Sequence, residues 1–433
     1  SLGGQVTLTN STVSGNTTGG LGGGIYNSTG VGTSKISGSL IAGNTAIGAG
    51  NEIFHAAGTL SLDANNLIGD GSQTTGDALN GVTAGAADLL ATSDQLNVAL
   101  GSILAPLADN GGPTLTHALV AGSPAIDAGN MAVFFFDQRG APFVRVAESR
   151  IDIGAFERQS LSMLVDTTSD VVDGNYTTGN LSLREAVQLA NINEDADTIT
   201  FDAAVFTGGA NNLIPLAGTE LDITETLTID ASALTENVTI DAQQASRVLN
   251  FTPASGDLTL NGLNIQNGYI TGSLGSGAGI RFDSNGTLSL TDSTVSSNSS
   301  GSAGGGIFAL SDSVMLTGST VSGNTSGSSG GGIESPFGDV SLVDSTVSAN
   351  SAVDDGGGIV SRGGTLTVIR STVMANTGYR GGGIFVLAGS TTVGNSTISG
   401  NSASFSGGGI ALIGGTLQVD NSTVAANTGG TDG

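Results

Sequence analysis

Short runs of alternating apolar and polar residues return along the second half of the chain with a period of about 26 residues. Each repeat contains three of them: one after Gly-Gly-Gly-Ile, one in the middle of the repeat, and Ser-Thr-Val-Ser. Alternation over four to six residues rich in Val and Thr predicts β-strands, and it leaves little room for helices. The glycine triplets end at Ile307, Ile333, Ile359, Ile384 and Ile410, at spacings of 26, 26, 25 and 26.

Strands that recur in every repeat can stack in register, with each coil about 4.8 Å from the last. The apolar position of each strand then meets its own copy in the next coil, so the repeats build a continuous core. We therefore predict an all-β fold, a right-handed parallel β-helix with three short strands per coil of about 26 residues. The inward ladder at Ser-Thr-Val is expected to comprise Val295, Val321, Val347, Val373, Ile398 and Val424.

An asparagine follows each of these runs at the point where the strand is expected to turn. Asparagine tolerates a left-handed backbone, and its amide can hydrogen-bond to the copies above and below. The glycines before each Ile are expected to take a positive φ at another corner. The predicted asparagine ladder comprises Asn298, Asn324, Asn350, Asn376, Asn401 and Asn427.

Residues of opposite charge fall at equivalent positions of neighbouring coils. Asp344 precedes one Ser-Thr-Val run and Arg370 precedes the next. Asp355 stands before one glycine triplet and Arg380 before the following one. Opposite charges one coil apart favour each other, so we expect ion pairs that run along the stack.

Composition narrows the classes of partner. The chain of 433 residues has 71 glycines, no cysteine and 38% hydrophobic residues, which is too apolar for a disordered chain. Its net charge of −26 argues against nucleic acid and anionic lipid as partners. The absence of cysteine excludes disulfides and thiol redox chemistry. No apolar run reaches transmembrane length, so we expect no membrane insertion. We also expect the sequence to start after any targeting segment.

Between residues 85 and 160 the repeat fades and four motifs follow one another. They are Leu107-Ala-Asp-Asn-Gly-Gly-Pro-Thr-Leu-Thr-His-Ala-Leu119, Gly122-Ser-Pro-Ala-Ile-Asp-Ala-Gly129, Asp137-Gln-Arg-Gly140 and Ile151-Asp-Ile-Gly-Ala-Phe-Glu157. In this order they resemble the choice-of-anchor Q domain, which ends many secreted bacterial β-helix proteins. The resemblance implies secretion and display at a cell surface.

A second resemblance begins at residue 180. Asn180-Leu-Ser-Leu-Arg-Glu-Ala-Val-Gln-Leu-Ala-Asn191 is similar to the CSLREA segment that opens related proteins, with Leu181 in place of the family's usual Cys. Independently of the family, Ser182 and Glu185 form a capping-box pattern at the start of an amphipathic helix. Such a helix can cover the open end of a β-helix, and we expect a short cap over residues 182–191.

A β-helix ending therefore precedes a β-helix opening. We predict final coils of one module over 1–84, a choice-of-anchor Q-like ending over 85–160, a CSLREA-like opening over 161–212, and regular coils of the next module over 213–433. Both termini fall within a coil. We expect partners that are either further modules of the same chain or copies of it joined head to tail.

The sequence offers one candidate ligand-binding patch. Asp354, Asp355, Tyr379, Arg380 and Phe405 are expected at one corner of three successive coils. Carboxylates, an arginine and stackable rings suit a sugar chain. The alternative is that these side chains stabilise a ladder of loops.

No catalytic constellation and no cofactor are expected. His55 and His117 each stand without a nearby nucleophile. The stretch Asn193-Glu-Asp-Ala-Asp197 has enough oxygen ligands for a structural calcium ion but lacks the spacing of a known calcium loop. The alternative is that it ends the cap helix and solvates a turn.

Three classes of function remain open. We expect a non-enzymatic extracellular structural protein, a rod or filament for a surface layer, sheath, fibre or adhesion. The first alternative is a glycan-binding adhesin module. The second is an enzyme related to the polysaccharide lyases, which share the fold.

Overall fold

The computed structural model describes residues 5–63, 65–130, 134–146, 150–159, 162–176, 178–193, 195–272, 275–310 and 313–430. The chain forms two compact units, residues 1–160 and 161–433. Each unit is built on parallel strands whose neighbours come from successive coils. We take the longer unit first because it contains the regular repeats.

In the described part of 161–433, parallel strands form four sheets. The first sheet holds Ser162–Val165, Asp197–Phe201, Leu227–Asp230, Leu258–Asn261, Thr287–Thr291, Ser313–Thr317, Val340–Val343, Thr365–Ile369, Ser390–Gly394 and Thr416–Asp420. The second holds Leu213–Pro215, Val238–Asp241, Leu263–Gln266, Thr294–Ser296, Thr320–Ser322, Thr346–Ser348, Thr372–Met374, Thr397–Ser399 and Thr423–Ala425.

The third sheet follows the glycine corner, with Leu221–Ile223, Leu249–Phe251, Ile280–Phe282, Ile307–Ala309, Ile333–Ser335, Ile359–Ser361, Ile384–Val386 and Ile410–Leu412. The fourth is short, with Tyr269–Ile270, Ser299–Ser300, Thr325–Ser326, Ser351–Ala352, Thr377–Arg380 and Ser402–Ser406. Three main strands per coil were predicted. The fourth strand is a difference: it arises because two residues after each asparagine stay extended and pair with the next coil.

The core is made of like residues stacked in register. Ile307 pairs with Ile333, and Val321 pairs with Val347. Side chains alternate along a strand, so the same position faces inward in every coil. Phe251 and Phe282 also stack inside, fully buried, with ring centroids 4.8 Å apart. Burying aliphatic side chains in this way supplies most of the favourable free energy of folding.

The predicted helix spans Leu183–Asn191. The Ser182 hydroxyl accepts from the Glu185 backbone N–H, and the Glu185 carboxylate accepts from the Ser182 N–H, which completes the capping box. The helix buries Leu183 and Val187 against the strands Ser162–Val165, Asp197–Phe201 and Leu221–Ile223. The opening segment thus supplies two strands to the first sheet, before the coils that begin near residue 213. A 3₁₀ turn spans Gly209–Asn212.

The unit over 1–160 contains irregular coils. Its described strands are Thr7–Thr9, Ile25–Ser37, Ile53–Asp63 and Leu79–Asn80 in one sheet, Thr12–Ser14, Leu40–Ala42, Leu67–Ile68 and Leu89–Leu90 in another, and Thr17–Thr18 with Thr45–Ala46. A helical turn spans Thr75–Ala78, and a 3₁₀ turn spans Leu100–Ser102. The described residues between 104 and 157 contain isolated antiparallel bridges, among them Phe136 with Val144.

Candidate functional site

The predicted asparagine ladder runs without a break through the regular coils. The Nδ2 atom of Asn324 donates to Oδ1 of Asn350 at 2.9 Å, and Nδ2 of Asn350 donates to Oδ1 of Asn376 at 3.0 Å. The backbone N–H of Asn324 also donates to Oδ1 of Asn350, at 2.9 Å. The Asn350 amide donates a further bond to the carbonyl of Val321, at 3.0 Å. The amides of the four inner members are therefore saturated by two bonds given and two accepted; they are Asn324, Asn350, Asn376 and Asn401.

The left-handed residue of this turn is not the asparagine. Positive φ falls on the preceding residue, which is Ser297, Gly323, Ala349, Ala375, Gly400 or Ala426. The residue before each Ser-Thr-Val also has a positive φ, from 48° at Arg370 to 59° at Gly318. The expectation that asparagine adopts the left-handed backbone was wrong, because its amide is needed between the coils and the bend is made one residue earlier.

A second polar ladder was missed by sequence reasoning. The backbone N–H of Ser319 donates to Oγ of Ser345, and that of Ser345 donates to Oγ of Ser371, at 3.2 and 3.0 Å. Each hydroxyl also donates to the carbonyl two residues before it, as Ser345 does to Val343. The signal was present in the first letter of every Ser-Thr-Val.

The valine ladder is inward-facing and buried from Val295 to Ile398. Its last member, Val424, pairs with Ile398 but is 48% exposed, because it lies in the last coil that the structure describes. Of the three glycines in each regular triplet, the first has the predicted positive φ, for example 62° at Gly356, whereas the second and third do not. The third glycine is needed because the backbones of neighbouring coils are close together there. A Cβ at Gly358 would lie 2.5 Å from the carbonyl oxygen of Gly383.

The structure brings the residues of the candidate patch together as two pairs. The Arg380 guanidinium donates two hydrogen bonds to Asp355. Its Nε lies 2.8 Å from Oδ1, and its Nη2 lies 2.7 Å from Oδ2. Asp355 is almost buried, and its partner raises the pKa of Arg380 through these bonds. The rings of Tyr379 and Phe405 stack with centroids 5.1 Å apart and planes inclined by 10°.

The fifth residue points elsewhere. The carboxylate of Asp354 accepts from the hydroxyl of Ser328 at 3.1 Å, in the coil on its other side. Its backbone carbonyl accepts the N–H of Tyr379 at 2.6 Å. Asp354 therefore helps to connect three coils at this corner.

A buried acid next to the patch was missed. Glu334 occupies the outward position of its strand, in register with Phe308 and Val360, yet it is only 2% exposed. Burial raises the pKa of its carboxyl, and Arg362 opposes that rise through a 2.8 Å bond. Nearby, the Phe385 ring is covered by Arg380, whose guanidinium carbon lies 5.0 Å from the ring centroid.

The exposed ion pair predicted at the neighbouring corner is also present. Arg370 binds Asp344 with two bonds of 2.7 Å, and these bonds lower the pKa of Asp344. Both side chains are about half exposed.

In the unit over 1–160, the asparagine ladder ends at a glutamate, which accepts the bond that the next asparagine would accept. Asn16 donates to Asn44 at 2.9 Å, and Asn44 donates to Oε2 of Glu52 at 2.5 Å. Gln73 donates to the other Glu52 oxygen at 2.5 Å. Glu52 is fully buried, and burial raises the pKa of its carboxyl to about 7.

The motifs near residue 140 form a buried charge network. Arg139 binds Asp137 and lies between two rings, with its guanidinium carbon 3.7 Å from the Phe143 centroid and 3.9 Å from that of Phe156. Arg145 donates to the carbonyls of Asp152 and Gly154, at 2.9 and 2.7 Å. Such pairing is what permits charges to be buried at all.

The other candidates have local partners. His117 is 2.8 Å from the carbonyl of Ala105, and His55 is 3.2 Å from the Asn27 amide. Asn193 donates to Asp197 at 2.8 Å, whereas Glu194 of the same stretch lies outside the described residues. Within the described ranges, no three acidic or histidine side chains gather as metal ligands. No helix in those ranges is long and apolar enough to cross a membrane.

The regular coils match a known family of proteins. Residues 247–431 match the family model described as a right handed beta helix region. The fold is a right-handed parallel β-helix. A solved alginate lyase of the PL6 family is 14% identical, covering 98% of this chain and 58% of its own, with a TM-score of 0.33. Similarity at that level carries no argument about activity. No curated protein matches the chain.

Proposed function

We propose that this chain is a structural β-helix of the cell exterior, used as a rod in a surface layer, sheath, fibre or adhesive appendage. The observation that carries the proposal is the uninterrupted asparagine ladder, in which side chains join each coil to the next from Asn298 to Asn427. A stack held in this way resists separation of its coils. This supports a mechanical reason for the repeats.

The charged corners support the same function. Arg380 and Arg362 each bind a carboxylate one coil away, and so does the exposed Arg370. Three cations that would otherwise attract an acidic glycan are thus occupied in joining coils. This favours a structural role for the predicted patch.

The two units support a serial arrangement. The ladder chemistry of 161–433 recurs in 1–160, where Asn16 donates to Asn44 and the N–H of Ser11 donates to Oγ of Ser39. We propose that such modules follow one another, either in a longer chain or as copies joined end to end. Export is supported by the resemblance of 85–160 and 161–212 to segments of secreted β-helix proteins.

Immunogold labelling of the native cells tests the location. An antibody raised against this chain should label intact cells, along fibres or a continuous layer. Label that appears only after the cells are permeabilised would contradict the proposal.

Glycan binding is the second candidate, and the Tyr379–Phe405 stack favours it. Tyr379 is 42% exposed, and a ring pair on an outer surface suits the apolar face of a sugar. The double variant Y379A/F405A should lose binding to a glycan that the native chain binds. Tyr269→Ala is the matched control, because Tyr269 lies in the same short sheet and is 45% exposed. Equal losses in both variants would count against this site.

A lyase activity has a direct assay. Alginate is incubated with the chain and calcium, and the ultraviolet absorbance of unsaturated sugar products is followed. Sustained turnover that is lost on chelation would replace the structural proposal with an enzymatic one.

A further inference from the structure

The unit over 1–160 contains a pocket of about 530 Å³ that lies outside the patch predicted from sequence. Its wall is formed by three consecutive phenylalanines, Phe134–Phe136, and its lining also includes Thr9, Ser11, Gln138 and Arg145. A volume of this size is typical of sites for small ligands.

The phenylalanine wall is held by a rigid hairpin. Backbone bonds join Arg145 to Phe135 and Asp137 to Phe143, at 2.9 and 3.0 Å. Arg139, at the hairpin's turn, is clamped by Asp137 and by the rings of Phe143 and Phe156. The wall is therefore preorganised, although its rings face solvent.

Two of the rings are exposed to an unusual degree. Phe134 is 72% and Phe135 is 77% exposed, while Phe136 meets Phe135 edge to face at 4.9 Å between centroids. Leaving such rings in water is costly, so adjacent exposed aromatics indicate contact with another molecule. An aromatic face beside hydroxyl and amide groups suits a pyranose, which has apolar C–H faces and a polar rim.

Arg145 adds a buried donor. The residue is 2% exposed, its two terminal nitrogens bind carbonyl oxygens, and its Nε finds no acceptor among the described residues. A buried donor left without a partner is unfavourable. Because this nitrogen has almost no accessible surface, the polar contacts of a sugar fall to the hydroxyl of Ser11 and the amide of Gln138.

The local charge selects among sugars. The carboxylates of Asp137, Asp152 and Glu157 outnumber the two arginines of the network, Arg139 and Arg145. Asp137 is neutralised by its bonds to Arg139, so it offers no free charge. Arg145, the arginine among the described lining residues, is paired with Glu157, so a sugar acid would meet no free cation there in a chain whose net charge is −26.

From this geometry we infer that the pocket walled by Phe134–Phe136 is a binding site for a pyranose of an uncharged glycan. The inference is independent of the proposed structural role, because a rod can display such a site or lack it. It also concerns a different unit from the Tyr379–Phe405 stack.

Calorimetric titration of the full chain tests the site. The probes are cellohexaose and mannohexaose as neutral glycans and a galacturonate oligomer as the acidic one. At least one neutral probe should bind more tightly than the acidic probe. The double variant F134A/F135A should weaken this binding by about tenfold or more, since one lost stacking contact is enough for that factor.

Controls separate the site from other causes. Phe337→Ala removes a ring that is 70% exposed in the other unit and should leave binding unchanged. Circular dichroism must show that F134A/F135A keeps its fold, and Gln138→Ala gives a second, polar probe of the pocket.

Three results would overturn the inference. They are no heat of binding with either neutral probe at millimolar concentration, tighter binding of the acidic probe, and unchanged binding by the folded F134A/F135A variant. An apolar dye that binds the native chain but not the variant, with no sugar bound, would identify a general hydrophobic surface instead.

Discussion

At the scale of the residue, the amide of asparagine supplies what two stacked coils need. It donates to the coil before and to the coil after, and its oxygen accepts from a backbone and a side-chain N–H. Buried polar groups stabilise a fold only when they are satisfied in this way. The ladder is therefore as sensitive to a single deletion as the apolar core is.

Asn350→Ala should lower the free energy of unfolding by about 2–4 kcal/mol, because it strands buried partners in both neighbouring coils. Urea unfolding followed by circular dichroism measures the change. Asn285→Ala is the control, since this exposed amide makes one bond to the carbonyl of Ala254, and it should change stability by about 0.5 kcal/mol or less. Equal effects would show that the ladder contributes no special stability.

Glu52 makes the unit over 1–160 sensitive to pH. Its pKa is about 7 in the fold against 4.5 for an ordinary Glu, so the folded state holds the proton more tightly. The stabilisation is fully present below pH 4.5 and is lost as the pH rises towards 7. Over this pH range the free energy of unfolding falls by about 3 kcal/mol. Asp70 contributes in the same direction through repulsion.

Glu52→Gln should remove most of this pH dependence, as measured by thermal unfolding between acid and neutral pH. Asp109→Asn, a change to an exposed carboxylate in the same unit, should keep it. A wild-type profile in the Glu52 variant would mean that another group is responsible.

Sequence predicted the role of a residue where the same residue type returns in every coil. It did not predict that role where a different residue type occupies the repeated position. The period of 26 exposed the valine and asparagine ladders directly. Nothing local shows that Ala349 is left-handed or that Glu52 occupies the place of a third glycine. Both depend on contacts between coils, and so does the burial of Glu334.

At the scale of the element, the corners determine which coils can stack. The glycine corner brings backbones so close that a single methyl group meets the carbonyl of the next coil, as at Gly358. The helix Leu183–Asn191 was predictable because its capping box and its apolar face are local in sequence. The hairpin that carries Phe134–Phe136 was not, since Arg139 and Phe156 are brought together only by the fold.

Gly358→Ala should destabilise the regular coils by about 1–3 kcal/mol or more, through overpacking against the Gly383 carbonyl. Gly363→Ala is the matched control, because its nearest neighbour would be 3.5 Å away and its φ is not positive. Denaturant midpoints of the two variants give the comparison. A Gly358 variant as stable as the control would contradict close contact at this corner.

Two arginine–aspartate pairs have the same two-bond geometry but differ in burial. Comparing them therefore tests how burial changes the stability that an ion pair contributes. Arg380→Ala leaves the nearly buried Asp355 without its partner and should cost about 2 kcal/mol, below the 3–5 kcal/mol of a fully buried pair because Arg380 is one-third exposed. Arg370→Ala breaks an exposed pair that water and salt screen, so it should lower stability clearly less than Arg380→Ala. Similar losses in urea unfolding would show that burial of Asp355 does not matter.

At the scale of the whole molecule, two units of related chemistry follow each other in one chain. Within 161–433, three kinds of interaction join successive coils: packing of apolar side chains, polar ladders and outward ion pairs. All three act between coils, and the outward positions that form no ion pair remain free to vary. This is the organisation expected of a repetitive scaffold, whose surface features, such as the pocket beside Phe134, can be added without disturbing the core.

The mass of the native polypeptide under denaturing conditions, with micrographs of the same undenatured material, tests the structural proposal most directly. The account predicts fibres or a layer made either of chains close to 433 residues in length or of chains several times longer. The first outcome means non-covalent joints, and the second means a covalent series of modules. Native material that is a dispersed monomer of about this length, with no fibre or layer, would contradict the account.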